Sequence, residues 1–212
     1  MELLMRVSEG LDRIIVKVGK IAAWAGLLLI LVTVFDVVTR RFFVLGSTKL
    51  QELEWHFHTI LFAFCLGFAY LKDAHVRIDL VRENLSERTQ WWIELAGCLL
   101  FLIPYCALVI YFSIEYTYKS FATNEVSASA TGLTHRWIIK SAIPLGFIFL
   151  ALSGVAVVLR KIVELFGPER LRQKVHDIEE AEAEHIEDIT LPDFDKQDTD
   201  KPGGDKQGGE RR

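Results

Sequence analysis

The sequence is poor in the residues that carry most chemistry, with three cysteines, five prolines and two methionines among 212 residues. No Cys-x-x-Cys-His segment occurs, which excludes haem attached through that motif. No glycine-rich phosphate loop, no His-Glu-x-x-His and no nucleophile elbow is present, so the chain lacks the signatures of nucleotide, zincin or serine-hydrolase chemistry and does not read as an enzyme. There is no internal repeat. Cys65, Cys98 and Cys106 all lie inside apolar blocks, where free thiols act as small hydrophobes rather than as a disulfide or a metal set. Charge is scarce in those blocks too. Hydrophobic residues make up 51% of the chain, are gathered into four runs, and give a positive mean hydropathy. That is the composition of a membrane protein.

The most informative stretch is Leu50 to Val81. It opens with acids, histidines and Trp55, runs through a block from Thr59 to Leu71 that is apolar on all sides, and ends in charged residues. A soluble helix has one apolar stripe, not an apolar circumference. Glu52 to Leu71 is about 20 residues, roughly 30 Å at about 1.5 Å per residue, which matches the hydrocarbon thickness of a bilayer. The same reading gives spans at about 21–38, 52–71, 91–118 and 137–159. The third is longer than a bilayer requires, so tilt, a kink at Pro104 or a projecting end is expected, and Pro144 with Gly146 should loosen the fourth. Trp24, Trp55, Trp91, Trp92 and Trp137 fall near span ends as interfacial anchors.

The predicted fold is thus an all-α membrane protein with a four-helix transmembrane domain over 21–167. Residues 1–20 place Leu3, Leu4, Val7, Leu11, Ile14, Ile15 and Val18 on one face, with Arg6, Asp12, Arg13 and Lys17 on the other, as an amphipathic interfacial helix would. A secretory signal competes with that reading, but no small-residue cleavage site follows the apolar run from Ile21. Residues 168–212 hold 14 acids against 8 bases and read as a charged tail, helical at first and disordered from about 188. Lys and Arg near the spans number thirteen on the side of the termini and five on the other, which places both termini in the cytoplasm.

Ionisable groups then collect at the outer membrane face. Asp36 with Arg40 and Glu115 with Lys119 are spaced i, i+4 and can pair on their own helices. In the second span Glu52, His56, Thr59, Ala63, Gly67 and Tyr70 recur at steps of three and four, a seam of polar and small residues suited to a helix contact within the bundle or to another subunit. His56, His58 and His135 raise haem, but only the second span holds histidines within its length, whereas bis-histidine ligation needs two facing helices. A membrane anchor of a redox complex, with or without haem, is the alternative from another class. A structural assembly factor regulated by its acidic tail is a third, and no resident cofactor is expected.

The motif LQELEWHFH at 50–58, Gly67 in mid-span, AHVRIDLV at 74–81 and NEVSASATGLTHRWIIKSAIPLGF at 124–147 are similar to a known family. With Arg40 and Arg41 closing the first span, the chain over roughly 20–160 resembles the DctQ-like small membrane subunit of tripartite ATP-independent periplasmic (TRAP) transporters. Thr134 stands where members often have proline. The resemblance implies a multi-pass subunit of a bacterial inner membrane that scaffolds a large permease subunit. It implies a periplasmic substrate-binding protein as second partner, and sodium-coupled uptake of an organic acid or similar solute, with the transport chemistry in the large subunit. Membrane lipid is the remaining partner, and nucleic acid is not one. On this reading Arg40, Arg41, Glu54, Glu125 and Arg136 serve docking at the outer face, and Glu52, His56 and Gly67 serve a helix or subunit contact. His75, Arg77 and Asp79 fix the cytoplasmic loop.

Overall fold

The computed structural model of the protein describes residues 1–43, 46–72 and 85–178, and every regular element among them is helical. In order these are α1 (Glu2–Phe42), α2 (Thr48–Leu71), α3 (Glu87–Gly97), a π-helical turn (Cys98–Leu102), α4 (Ile103–Ala122) and α5 (Trp137–Phe166). Residues 169–178 are helical again. The expected disorder from about 188, and His75, Arg77 and Asp79, lie outside the described residues.

Three helices are long and apolar enough to cross a membrane: α1, the run Glu87–Ala122, and α5. The first half of α2 carries Lys49, Glu52, Glu54, His56 and His58, which keeps its apolar content below theirs. α5 is the centre of the bundle and touches all the other helices. Half of its most apolar stretch is buried, against 17% for each of the other two.

α1 runs for 41 residues without a break, joining the expected interfacial segment and the first span in one helix. It holds no proline. At about 1.5 Å per residue its length is about 60 Å, roughly twice the hydrocarbon core of a bilayer. Its buried side is Met5, Ser8, Asp12, Ile15, Gly19 and Ala22, in steps of three and four, while Leu3, Val7 and Ile14 are exposed. Small residues select that side. A Cβ on Gly19 would lie 2.6 Å from the Phe68 side chain, and the Cys65 thiol reaches the Gly19 carbonyl at 3.7 Å.

Ile15, Leu71 and Ala156 pack in one cluster, so the end of α2 is level with Ile15 of α1 and Ala156 of α5. Beyond that level the terminal end of the bundle consists of the start of α1, the end of α5, and α3. Here α5 buries charge: Arg160 donates to Asp12, and Lys161 lies 3.0 Å from Glu164 and 3.7 Å from Glu94 of α3. Asp12 is 8% exposed and Arg160 4%. Asp12 therefore does not share the water-facing side on which its spacing placed it with Arg6, Arg13 and Lys17. The Ser8 hydroxyl donates to the Ala156 carbonyl at 3.2 Å, and Lys174 pairs with Glu9 at 2.5 Å.

In the α3–α4 run, where a kink at Pro104 was one expectation, a π turn directly precedes the proline. Proline lacks an N–H, and its ring crowds the carbonyl four residues earlier, here Leu100. The wider turn over Cys98–Leu102 opens the helix at that carbonyl. α5 continues through Pro144 without interruption, and Gly146, two residues on, lets α2 approach.

Candidate functional site: the pinned loop between α4 and α5

The end of α1, the start of α2 and the α4–α5 loop lie at the end of the bundle opposite the start of α1 and the end of α5, and most sequence-predicted site residues fall there. The α4–α5 loop is closed by two cross-bonds: the Arg136 N–H donates to the Glu125 carbonyl and the Ser127 N–H to the Leu133 carbonyl, both at 3.2 Å. Asn124 and His135 flank it with φ of 45° and 61°, a left-handed conformation in which Asn and His are enriched.

Glu52, 7% exposed, pins this loop to α2. One carboxylate oxygen accepts from the Ser127 hydroxyl, and the other accepts from the Leu133 N–H at 2.6 Å. Gly132 makes the approach possible, since a Cβ there would collide with Ser127 and come within 2.7 Å of Glu52 Oε1. The Thr131 and Thr48 hydroxyls add a contact at 3.3 Å. Next to it, His56 Nδ1 lies 2.6 Å from the Glu52 carbonyl. A carbonyl only accepts, so Nδ1 carries the proton and donates, which leaves Nε2 unused by this contact.

A second pin joins Glu125 to α5. Lys140 Nζ donates to Glu125 Oε2 and sits 3.9 Å from the centre of the Tyr116 ring of α4. The Lys140 hydrogen bond holds the Glu125 carboxyl below the usual carboxylate range, against the opposing effect of burial and with help from the nearby Arg136 charge. A depressed carboxylate value means that the clasp contributes fully above the unfolded value and is lost as pH falls through the folded one. Proteolysis of the loop in detergent should therefore stay slow at neutral pH and accelerate only in acid, below the ordinary carboxylate value. Glu125→Gln should cleave faster at neutral pH and show a flatter pH profile.

Arg40 pairs with Asp36 along α1, and Arg41 is exposed. Glu54 points to another side of α2 from Glu52, since two residues turn a helix by about 200°. It is half-buried, and its Oε1 has no hydrogen-bond partner among the described residues. Arg136 is half-buried and lines a cleft of about 180 Å³ with Glu52, Trp55, His56, Thr59 and Ile139. Among the described residues no hydrogen bond or ion pair joins Arg40 or Arg41 to Glu125 or Arg136. Gly67 lies against α5: a Cβ there would be 2.9 Å from the Phe149 backbone, and the Ser153 hydroxyl donates to the Gly67 carbonyl at 2.9 Å. Tyr70 ends the seam with its hydroxyl 2.8 Å from Cys98 Sγ.

Ser127, Leu133, Lys140 and Tyr116 complete the site and were not among the predicted residues. The Leu133 donor is a backbone N–H, for which no side-chain pattern exists. Among the described residues no three His, Cys, Asp or Glu side chains gather as a metal site would require, and none of the three cysteines is in a disulfide.

The flank of α1 exposes Leu27, Leu28, Ile30, Leu31, Val34 and Phe35 in one continuous apolar surface, larger than water tolerates on a soluble protein. Long helices with such flanks define an integral membrane subunit. Residues 29–164 match the family described as Tripartite ATP-independent periplasmic transporters, DctQ component, and the chain belongs to that family, the small permease subunit of TRAP transporters. No curated protein sequence matches the chain. The family is a transporter component rather than an enzyme, so the protein works in association with other TRAP components.

Proposed function

We propose that this protein is the fixed scaffold of a TRAP transporter. It holds the large permease subunit in a bacterial inner membrane and supplies part of the face on which a periplasmic binding protein delivers an organic acid or similar solute for sodium-coupled uptake. α2 serves as a fourth span beside the three more apolar runs, and the termini lie in the cytoplasm, as the Lys and Arg asymmetry supports. The first 20 residues lie near the cytoplasmic interface, and the tail beyond 168 is cytoplasmic. His75, Arg77 and Asp79 fix the cytoplasmic loop against the bundle or the large subunit. Glu52, His56 and Gly67 serve a helix or subunit contact, while Arg40, Arg41, Glu54, Glu125 and Arg136 form the docking rim.

The observation that carries this reading is the doubly pinned loop. A loop held by Glu52 on α2 and Lys140 on α5 presents a rigid polar surface, and a preorganised surface loses little entropy when a partner docks. Among the described residues the spans hold no central cluster of charge for an ion path, in keeping with transport chemistry in another subunit.

Reversing both exposed arginines at the end of α1, Arg40→Glu with Arg41→Glu, tests it. The large subunit should still co-purify in equal amount, while the binding protein's affinity for the complex in nanodiscs should fall about tenfold and salt should matter less. Unchanged affinity together with unchanged uptake would remove these residues from the docking role.

A further inference from the structure

The cleft at the junction of α2, the loop and α5 has a chemistry that the fold leaves unspent. Its walls are Glu52, Trp55, His56, Thr59, Arg136 and Ile139. Arg136 carries five N–H donors in a fixed fork. Its backbone N–H is used in closing the loop, but among the described residues its guanidinium makes no hydrogen bond or ion pair. The acids within its electrostatic reach are engaged elsewhere: Glu52 by Ser127 and the Leu133 N–H, and Glu125 by Lys140. His56 has spent Nδ1 on the Glu52 carbonyl and retains Nε2. Thr59 donates to the Trp55 carbonyl at 2.7 Å, which keeps its own side of the cleft fixed.

A half-buried guanidinium whose neighbours are satisfied calls for an acceptor from outside, and a carboxylate matches its fork with two parallel bonds. Two observations bear on the source of that carboxylate. Local charge is balanced, with Arg136 and Lys140 against Glu52 and Glu125, so the cleft does not concentrate free anions. Its volume, about 180 Å³, is also below the roughly 300–1,000 Å³ of small-molecule pockets. A group delivered on a protein surface needs neither excess charge nor a large cavity.

We infer that this cleft is a socket for one Asp or Glu side chain of the docked binding protein, with the Arg136 guanidinium as the fork that receives it and His56 and Trp55 as its walls. The inference rests on the docking reading above and deepens it. Arg136 is the point at which the partner's register is fixed, whereas the exposed arginines of α1 act at a distance through charge. The socket is made by the same closure that pins the loop, because Arg136 both closes the loop through its N–H and starts α5.

The test uses the full complex in nanodiscs with the binding protein as probe. Arg136→Glu should weaken its affinity about tenfold or more, and Arg136→Lys, which keeps the charge and loses the fork, should weaken it by less. An acid-to-arginine change at the matching position of the binding protein should restore affinity for Arg136→Glu and not for the unaltered complex. Co-purification of the large subunit and slow loop proteolysis verify that each variant is assembled. Arg136→Gln offers a milder change if the reversal does not assemble. Unchanged affinity in assembled Arg136→Glu or Arg136→Gln complexes overturns the socket. If the Arg40 and Arg41 reversal still weakens binding in that case, the docking reading stands alone, and if it does not, both fall. Release of the large subunit by Arg136→Glu, with binding-protein affinity unchanged in what remains assembled, would assign the cleft to the permease contact and overturn the inference.

Discussion

Replacing Arg160 by Leu should destabilise the subunit by about 3–5 kcal/mol, because it takes the guanidinium away from the Asp12 carboxylate in a site shielded from water. Both groups are nearly buried, and their ion pair ties the third turn of α1 to the penultimate turn of α5. The attraction between them has already been offset by the cost of taking both out of water, so the pair itself contributes little net stability. The damage comes from breaking one half. Asp12→Leu combined with Arg160→Leu should therefore be far less harmful than either single change, a coupling that a double-mutant cycle of melting in detergent would measure. If the double variant were as unstable as the sum of the singles, the partnership of Asp12 and Arg160 would not be what matters there.

The second large effect is expected at Gly146. A Cβ at that position would lie 2.6 Å from the Ala63 carbonyl oxygen and 2.7 Å from the Ala63 Cβ, closer than real contacts allow. The obstacle is backbone, which cannot swing aside as a side chain end can. α2 and α5 would have to separate, and the Ser153 bond to the Gly67 carbonyl one turn further on would stretch with them. Gly146→Val should cost at least the roughly 1–3 kcal/mol typical of overpacking and lower the yield of folded subunit. Ala63→Gly should rescue it only in part, since it removes the Cβ but not the carbonyl. Gly97→Ala, where nothing lies within 4 Å of the new methyl and the backbone is helical, is the control and should melt no lower than the unaltered protein.

These two sites differ in how far the sequence announced them. The α2 seam was legible because small and polar residues at steps of three and four leave few other uses in an apolar helix, and Ala63 and Gly67 do lie against α5. Gly146 drew notice only through its neighbour Pro144, as a weakness in the helix rather than a contact. Asp36 with Arg40 and Glu115 with Lys119 were legible because both members sit on one helix, four residues apart, and both pairs form. Asp12 and Arg160 were not. They are 148 residues apart, and each had an ordinary reading, one on the polar side of an amphipathic helix and the other among the cytoplasmic bases. Nor does the family match reach Asp12, since it begins at residue 29.

The loop shows a similar limit. Its position, and the polar character of the end of the bundle on which it sits, followed from composition, and Glu52, Glu125 and Arg136 were all named. Glu52 was read as part of a helix contact, whereas its carboxylate is spent on a serine and a backbone amide of the loop. A carboxylate that seeks N–H donors leaves no periodic trace, because every residue but proline offers one.

The π turn at Cys98–Leu102 also sets the phase of the helix that follows it. An α-helix advances by about 100° per residue, so the wide turn, which takes up an extra residue, puts α4 one residue out of step with α3. In α3 and the turn the inward positions are Leu95 and Cys98, and in α4 they are Cys106, Ser113 and Ser120, seven residues apart. That heptad stripe lies along α5 only because the offset has already been taken up before Pro104. Straightening the turn into a plain α-helix with no residue removed would swing Tyr105, Tyr111, Phe112 and Tyr118 around the axis by about 100°, whereas a one-residue deletion that closed the turn would leave their bearing almost unchanged. The turn therefore works as a spacer that absorbs one surplus residue, and the aromatic flank of α4 keeps its compass bearing because of it.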